Sequence, residues 1–342
     1  MVQKARIIST GSYLPERVLS NNDLEKMVDT SDEWIISRTG MKERRLAAAD
    51  EPTSEMGFQA AKKAIEKAGI KLEKIELILF ATLTPDYPFP STACLIQARL
   101  RDFFEQTGQT KDFNPAAVDL QAACTGYIYA LSQAKAYIES GMYRSILIVA
   151  SEKLSSIVNY QDRSTCVLFG DGAAACIVAA EGKGLFISDV CLGADGRLAE
   201  LLIIPAGGSK KPASMETIQA NQHYLQMEGK ELFKHAVRRM EMAASCCLER
   251  ASLKKEQIKW LIPHQANIRI IEAIAKRFDV PMEHVFLTLH KYGNTSASSV
   301  GIALDELLQE KDLREEDHIL LVAFGAGLTW GAAILTCGAE NA

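Results

Sequence analysis

The stretch Ala64-Ile-Glu-Lys-Ala-Gly-Ile-Lys-Leu-Glu-Lys-Ile-Glu-Leu-Ile-Leu79 returns, 183 residues further on, as Cys247-Leu-Glu-Arg-Ala-Ser-Leu-Lys-Lys-Glu-Gln-Ile-Lys-Trp-Leu-Ile262. Glu66, Ala68, Lys71, Glu73 and Ile75 recur in step as Glu249, Ala251, Lys254, Glu256 and Ile258. Each copy reads as the end of an amphipathic helix, a short turn and a buried strand, because apolar residues at helical spacing give way to a continuous apolar run. A second pair follows in the same order: Tyr129-Ala-Leu131 and Ile146-Leu-Ile-Val-Ala150 match Ile302-Ala-Leu304 and Ile319-Leu-Leu-Val-Ala323, now at a shift of 173. The difference, 183 − 173 = 10, places about ten extra residues in the first copy, and the polar stretch 106–114 is the place for them. Matches of the same element types in the same order imply an α/β unit duplicated about a pseudo-twofold axis.

Outward from the repeat, apolar strand-like runs at 75–81, 146–150, 173–179, 258–262, 319–323 and 332–336 alternate with amphipathic stretches, the pattern of an α/β protein with a buried, mostly parallel sheet. The 342 residues, 48% hydrophobic and 24% charged, exclude disorder and fibre. They divide into an N-terminal half, 1–182, and a C-terminal half, 183–342. The 8 cysteines include no C-x-x-C pair and have no His at ligand spacing, so they are expected to stay unpaired in a reducing cytoplasm, without disulfide framework or metal. Lys4, Arg6, Glu16 and Arg17 interrupt the first 20 residues, and no secretory signal is expected. The most apolar stretch, 319–335, is broken by Gly325, Gly327 and Gly331 and reads as strand-turn-strand, not a membrane span. A net charge of −5 gives no general attraction for nucleic acid, and an acidic partner would have to meet a local basic patch.

In open α/β sheets the chemistry gathers where loops leave the carboxyl ends of strands. The 173 shift carries Cys124 onto 297, three residues from Asn294; His264 follows the strand at 258–262, and the glycine turn Phe324-Gly-Ala-Gly327 follows the strand at 319–323. Taken singly, Cys124 among small residues is a small hydrophobe, His264 beside Pro263 a structural histidine and Gly293-Asn294 a turn. Together they supply a nucleophile, a base or donor and a carboxamide donor, the parts of an acyl-transfer site. Cys124 precedes the helical pattern at 126–138, whose N-terminus is expected to favour thiolate and lower the pKa.

These residues sit in Thr30-Ser-Asp-Glu-Trp-Ile-Ile-Ser-Arg-Thr-Gly40, Ala123-Cys-Thr-Gly126, Phe169-Gly-Asp-Gly-Ala173, Met227-Glu-Gly-Lys-Glu-Leu-Phe233, Pro263-His-Gln-Ala-Asn267, Gly293-Asn-Thr-Ser-Ala297 and Phe324-Gly-Ala-Gly327. In that order the motifs resemble the thiolase-fold condensing enzymes, most closely the β-ketoacyl-acyl-carrier-protein synthase III family, over essentially the whole chain. The resemblance implies a duplicated αβαβα layered fold with pseudo-twofold symmetry, in a homodimer. It implies decarboxylative condensation of an acyl-CoA, acetyl-CoA foremost, with malonyl-acyl carrier protein, initiating fatty-acid synthesis without metal or redox cofactor. Cys124 would take the acyl group, with the backbone N–H groups of Cys124 and Ala326 as oxyanion hole, and His264 and Asn294 would stabilise the enolate. Trp34, Arg38, Arg163 and Asn267 match positions that hold coenzyme A. Phe169, Phe324 and Phe89 match acyl-pocket positions, Phe89 reaching into the partner subunit.

For the acidic carrier protein, Arg269, Lys276 and Arg277 fall on one polar face of an amphipathic helix after Asn267, and Lys234, in a helix at 231–241, matches a further basic docking position of the family. A specialised relative with a longer or unusual primer is the nearest alternative. A papain-like protease has the same Cys, His, Asn order, but its local cysteine signature is absent and the duplicated α/β pattern is wrong for it. A non-catalytic scaffold would not need Cys124, His264 and Asn294 together.

Overall fold

In the computed structural model, which describes residues 3–108 and 113–338, the two copies of the repeat become the two halves of one sheet. Its strands are β1 (Arg6–Tyr13), β2 (Leu77–Ala81), β3 (Ala116–Leu120), β4 (Ser145–Glu152), β5 (Gly172–Ala179), β6 (Leu185–Ala194), β7 (Ile258–Pro263), β8 (His318–Gly325) and β9 (Thr329–Cys337). Their order is β7-β8-β9-β6-β1-β5-β4-β2-β3. Counted outward from the β6/β1 junction, β6 mirrors β1, β9 mirrors β5, β8 mirrors β4 and β7 mirrors β2, which is the pseudo-twofold the repeat implies. The halves join antiparallel through Arg6↔Phe186 and Ile7↔Leu185. Among the described residues only β3 lacks a counterpart in this sheet, and it lies in the copy with the extra residues.

The helices that matter for the site are α1 (Asp32–Thr39), α2 (Thr53–Ala68), α3 (Thr92–Gln106), α4 (Gly126–Glu139), α5 (Gly229–Arg250), α6 (Ile268–Arg277) and α7 (Ser298–Glu310). Alternation along the strands sorts them into layers, because successive side chains leave a strand on opposite faces. Ile78, Phe80 and Val149 face outward onto Ala60, Ile65, Ile96 and Leu100 of α2 and α3. Their neighbours Leu79 and Ile148 face inward onto Ile128 and Leu131 of α4 and Ala303 and Leu304 of α7, as do Ile319 and Leu321 from the other half. Leu320 and Val322 face out again, onto Ala244, Ile271 and Ile274 of α5 and α6. The result is the αβαβα stack, in which each fully buried Leu or Ile contributes about 1.5–3 kcal/mol of hydrophobic stabilisation. At its centre Gly126 is required: a Cβ there would lie 3.0 Å from the Cβ of Ala81 and 3.3 Å from that of Ala297, so the starts of α4 and α7 meet closely.

Three expectations need correction. The sheet is mixed rather than mostly parallel: β2/β3, β2/β4 and β7/β8 are parallel, whereas β1/β5, β4/β5, β8/β9, β6/β9 and the central junction are antiparallel. A strand buried on both faces has the same apolar pattern in either direction. The strand-like runs also leave out β1, β3 and β6. In β1 the buried Ser9 and Thr10 are satisfied by the Ala64 carbonyl and Asp305, contacts that no local pattern announces. Finally, Cys191 on β6 and Cys246 on α5 form a disulfide, so not all cysteines are unpaired. The pairing arises because α5 lies across β6, a tertiary fact with no spacing signature. The helix expected at 231–241 extends over Gly229–Arg250. Of the extra stretch 106–114, residues 109–112 lie outside the described residues, and Phe113 is buried among α3 and its neighbours. No helix among the described residues is long and apolar enough to cross a membrane.

Candidate active site

Between β3 and α4 the chain makes a short 3-10 turn over Ala123–Thr125. Ala123 takes φ +46°, a left-handed conformation that costs a non-glycine residue free energy and persists only where the surroundings impose it. The surroundings are visible. Thr125 donates its hydroxyl to the Ala122 carbonyl at 2.6 Å, and the Thr329 hydroxyl lies 3.1 Å from that carbonyl and 3.0 Å from the Ala326 carbonyl. The cysteine turn is thus stitched to the glycine turn between β8 and β9. Gly325 packs directly on it: a Cβ at 325 would sit 2.8 Å from the backbone nitrogen of Cys124.

His264 follows β7 and is buried. Its Nδ1 lies 2.7 Å from the Ser299 hydroxyl at the start of α7. With that hydroxyl donating, Nδ1 is the acceptor and Nε2 carries the proton. Burial holds the imidazole neutral by lowering its pKa to about 4. Asn294 lies just before α7, and its Oδ1 accepts from the Ser296 backbone N–H at 2.9 Å. That bond fixes the amide, leaving Nδ2 as donor.

Two residues to which the sequence assigned no role, Glu152 and Ser296, complete the site. Glu152, at the end of β4, is fully buried and accepts from the Leu83 N–H (3.0 Å) and the hydroxyls of Thr82 (3.1 Å) and Thr84 (2.8 Å). The Ser296 hydroxyl lies 3.1 Å from Glu152 Oε1 and 3.4 Å from Cys124 Sγ. Burial raises the Glu152 carboxyl to about 7, against the pull of these hydrogen bonds. The signal in the sequence was a carboxylate closing an otherwise apolar strand, Ser145-Ile-Leu-Ile-Val-Ala-Ser-Glu152.

The expectation of a lowered Cys124 pKa fails here. Burial pushes the thiol up to about 12, Glu152 adds to the rise, and the Ser296 hydroxyl opposes it only in part. Desolvation outweighs the helix N-terminus, so the resting site holds a thiol that must lose its proton as it reacts.

Cys124 and Phe169 line two cavities. The larger, of about 510 Å³, is also lined by His264, Asn294, Phe324, Trp34, Arg38, Asn267, Lys234 and Arg269. Asn267 caps α6 and donates from Nδ2 to the Arg38 carbonyl, tying that helix to α1. Arg163 does not line this cavity; its guanidinium stacks 4.9 Å from the Trp34 ring and donates to the Asp29 carbonyl. Arg269 stacks over Phe233, while Lys276 and Arg277 are exposed further along α6, Arg277 beside Glu241. The smaller cavity, of about 370 Å³, runs past Ala326 and Ser296 between Leu83, Leu154, Ile157, Leu202, Ile203 and Leu225. Phe324 borders only the larger of the two, and Phe89, 86% exposed, borders neither. None of the described residues of 106–114 lines them. No group of three or more His, Cys, Asp or Glu side chains among the described residues could hold a metal ion.

The family model for 3-oxoacyl-[acyl-carrier-protein] synthase III matches residues 118–196, and that for its C-terminal part matches residues 248–337. The chain is 58% identical to a β-ketoacyl-[acyl-carrier-protein] synthase III of Chlamydia caviae, covering 98% of this chain and 97% of the relative. It superposes on the crystal structure of the 3-oxoacyl-[acyl-carrier-protein] synthase III of Aquifex aeolicus with a TM-score of 0.87, at 47% identity over 97% of this chain and 99% of that one. It also superposes on the priming β-ketosynthase of the R1128 polyketide pathway with a TM-score of 0.86, at 33% identity over 99% and 97%.

Proposed function

The chain belongs to the 3-oxoacyl-[acyl-carrier-protein] synthase III family, and from that premise we propose how its residues divide the work of the reaction. It is a condensing acyltransferase that joins an acyl-CoA to malonyl-acyl carrier protein at the start of fatty-acid synthesis. Acyl-CoA enters through the larger cavity, with Trp34, Arg38, Arg163 and Asn267 about the nucleotide and pantetheine. A planar cation on an indole suits adenine and phosphate recognition. Cys124 takes the acyl group, and the backbone N–H groups of Cys124 and Ala326 receive the oxyanion. Malonyl thioester then loses carbon dioxide while Nε2–H of His264 and Nδ2–H of Asn294 bond its carbonyl oxygen, and the carbanion attacks acyl-Cys124. Loss of carbon dioxide itself supplies the electron pair, so the scheme needs no metal or redox cofactor.

The observation that carries this reading is the meeting of a thiol, a neutral imidazole and an oriented carboxamide on one cavity wall. We take acetyl as the primer. The smaller cavity is roomier than two carbons need, and Phe89 from a second copy, in the homodimer we propose, would occupy part of it; Phe89 and Tyr87 are exposed on one loop. We place the enzyme in the cytoplasm. To test the scheme, acetyl-CoA should add one acetyl mass to the tryptic peptide bearing Cys124, and malonyl-carrier protein should remove it as acetoacetyl-carrier protein. An acetyl mass on another cysteine would refute it.

For the carrier protein, Arg269 and Lys234 at the cavity and Lys276 and Arg277 beyond it form the docking surface we propose. Exposed charges act within a Debye length of about 8 Å at physiological salt. Arg269→Glu should therefore raise KM for malonyl-carrier protein severalfold, and added salt should raise the wild-type KM, leaving acetyl-CoA acylation nearly unchanged. Steady-state kinetics against carrier protein concentration checks this, and equal damage to both half-reactions would move the docking surface elsewhere.

A further inference from the structure

The scheme leaves the Cys124 proton without a destination. His264 is poorly placed to take it, since its Nδ1 is occupied by Ser299 and its Nε2 bears the hydrogen that the enolate oxygen needs. Ser296 and Glu152 offer a route. A hydroxyl carries one proton, and the stronger acceptor of the two beside Ser296 is the Glu152 carboxylate, at 3.1 Å. With the hydroxyl proton on that side, Ser296 Oγ keeps a lone pair 3.4 Å from Cys124 Sγ, within reach of the thiol proton as it leaves. Ser296 itself is held at φ +52°, a strained placement for a non-glycine residue. Among the described residues no cation is paired with Glu152. The groups facing it are the hydroxyls of Thr82 and Thr84, the Leu83 N–H and Ser296 with Cys124 behind it, while the ammonium of neighbouring Lys153 is bonded to the carbonyls of Ala48 and Glu51.

We propose that Glu152 accepts the Cys124 proton through Ser296 and keeps it for the lifetime of the acyl-enzyme. The inference rests on Cys124 being the acyl acceptor. As Cys124 Sγ bonds to the acyl carbon, its proton passes to Ser296 Oγ while the Ser296 proton passes to Glu152 Oε1. The bond from the acyl carbon to the CoA sulfur breaks, and the CoA thiolate leaves and is protonated by solvent. The site now holds acyl-Cys124 and a neutral carboxyl, so no buried carboxylate opposes the enolate that forms next. In condensation the carbanion attacks the acyl carbon, the bond to Cys124 breaks, and the departing thiolate regains its proton through Ser296, restoring the carboxylate. One proton shuttles between Cys124 and Glu152, and the single proton that the overall reaction consumes enters from solvent with the departing CoA thiolate.

The test is single-turnover acetylation of Cys124 by acetyl-CoA, followed by intact-protein mass spectrometry from roughly pH 5.5 to 9, the window in which a base near neutrality shows itself. The carboxyl must be ionised to accept a proton, so the wild-type rate should rise with pH and level off with an inflection near 7. Glu152→Gln and Ser296→Ala should each slow acetylation about a hundredfold at neutral pH and lose that inflection. A slower rate with the inflection intact would assign Glu152 a structural role and overturn the proposal, as would wild-type rates in either folded variant. Should neither variant fold by circular dichroism, a wild-type profile flat through neutrality overturns it. Absence of any acetyl mass on wild-type Cys124 would instead refute the nucleophile assignment.

Discussion

Cys124→Ala should form no acyl-enzyme and no β-ketoacyl-carrier protein, an effect limited only by the assay background, while folding as the wild type does. Both halves of that expectation come from the site. The acyl group has to leave CoA before the malonyl thioester arrives, so without a covalent holder the two half-reactions are disconnected. The side chain removed is a small buried group, and its loss leaves the stitching of the turn by Thr125 and Thr329 intact. Melting temperature together with mass spectrometry separates these outcomes. Alkylation offers a second measurement. Cys94 is exposed and should react with iodoacetamide whether or not acetyl-CoA is present, whereas Cys124, held as a thiol by burial, should react slowly and be protected by acetyl-CoA. Equal protection of Cys94, or none of Cys124, would sink the assignment.

Asn294→Ala and His264→Ala should each slow decarboxylative condensation by roughly a hundredfold or more, the scale of a lost oxyanion-hole donor, equal to about 2.7 kcal/mol of transition-state stabilisation. Acyl transfer to Cys124 should suffer much less, because neither donor is assigned to the acyl oxyanion. The comparison is made by measuring acetylation and malonyl-carrier-protein decarboxylation separately; equal losses would mean that these residues orient the nucleophile. The pH dependence supplies a further check. With its pKa lowered to about 4, His264 is neutral at pH 7, and acidification through that value protonates Nδ1 and breaks its acceptance of the Ser299 hydroxyl. Condensation should therefore hold through mildly acidic pH on the His264 account and fall only as pH approaches 4. Stability moves in the same direction. The unfolded histidine titrates near 6.5, so the contribution of its burial is fully present above that pH and is lost as pH falls toward 4.

Much of this was legible in the chain itself. The repeat at shifts of 183 and 173 determined the duplicated αβ unit, because the same alternation of buried strand and amphipathic helix had to be written twice to build two equivalent halves. It also placed Cys124 and Asn294 on matching junctions, which the structure shows as the starts of α4 and α7, packed together at Gly126 and Ala297. The amphipathic character of α6 was legible from its spacing, as Arg269, Lys276 and Arg277 are exposed while Ile271, Ile274 and Ala275 are buried.

Contacts between distant segments decided the rest. Strand direction depends on how the halves meet at β1 and β6, and a doubly buried strand has no pattern that records it. The Cys191–Cys246 pair needed α5 on β6, and the satisfaction of Ser9 and Thr10 in β1 needed α2 and α7 on opposite faces of that strand. Above all, the protonation state of the site is tertiary. Cys124 stands at a helix N-terminus, which by itself favours thiolate, yet the layers that close over it remove the water a thiolate requires. The segments 82–84, 152 and 296, far apart in sequence, converge to set a carboxylate one hydroxyl away. A pKa is a difference in solvation and charge between two states of one group, and both are supplied by neighbours that only the folded chain brings together.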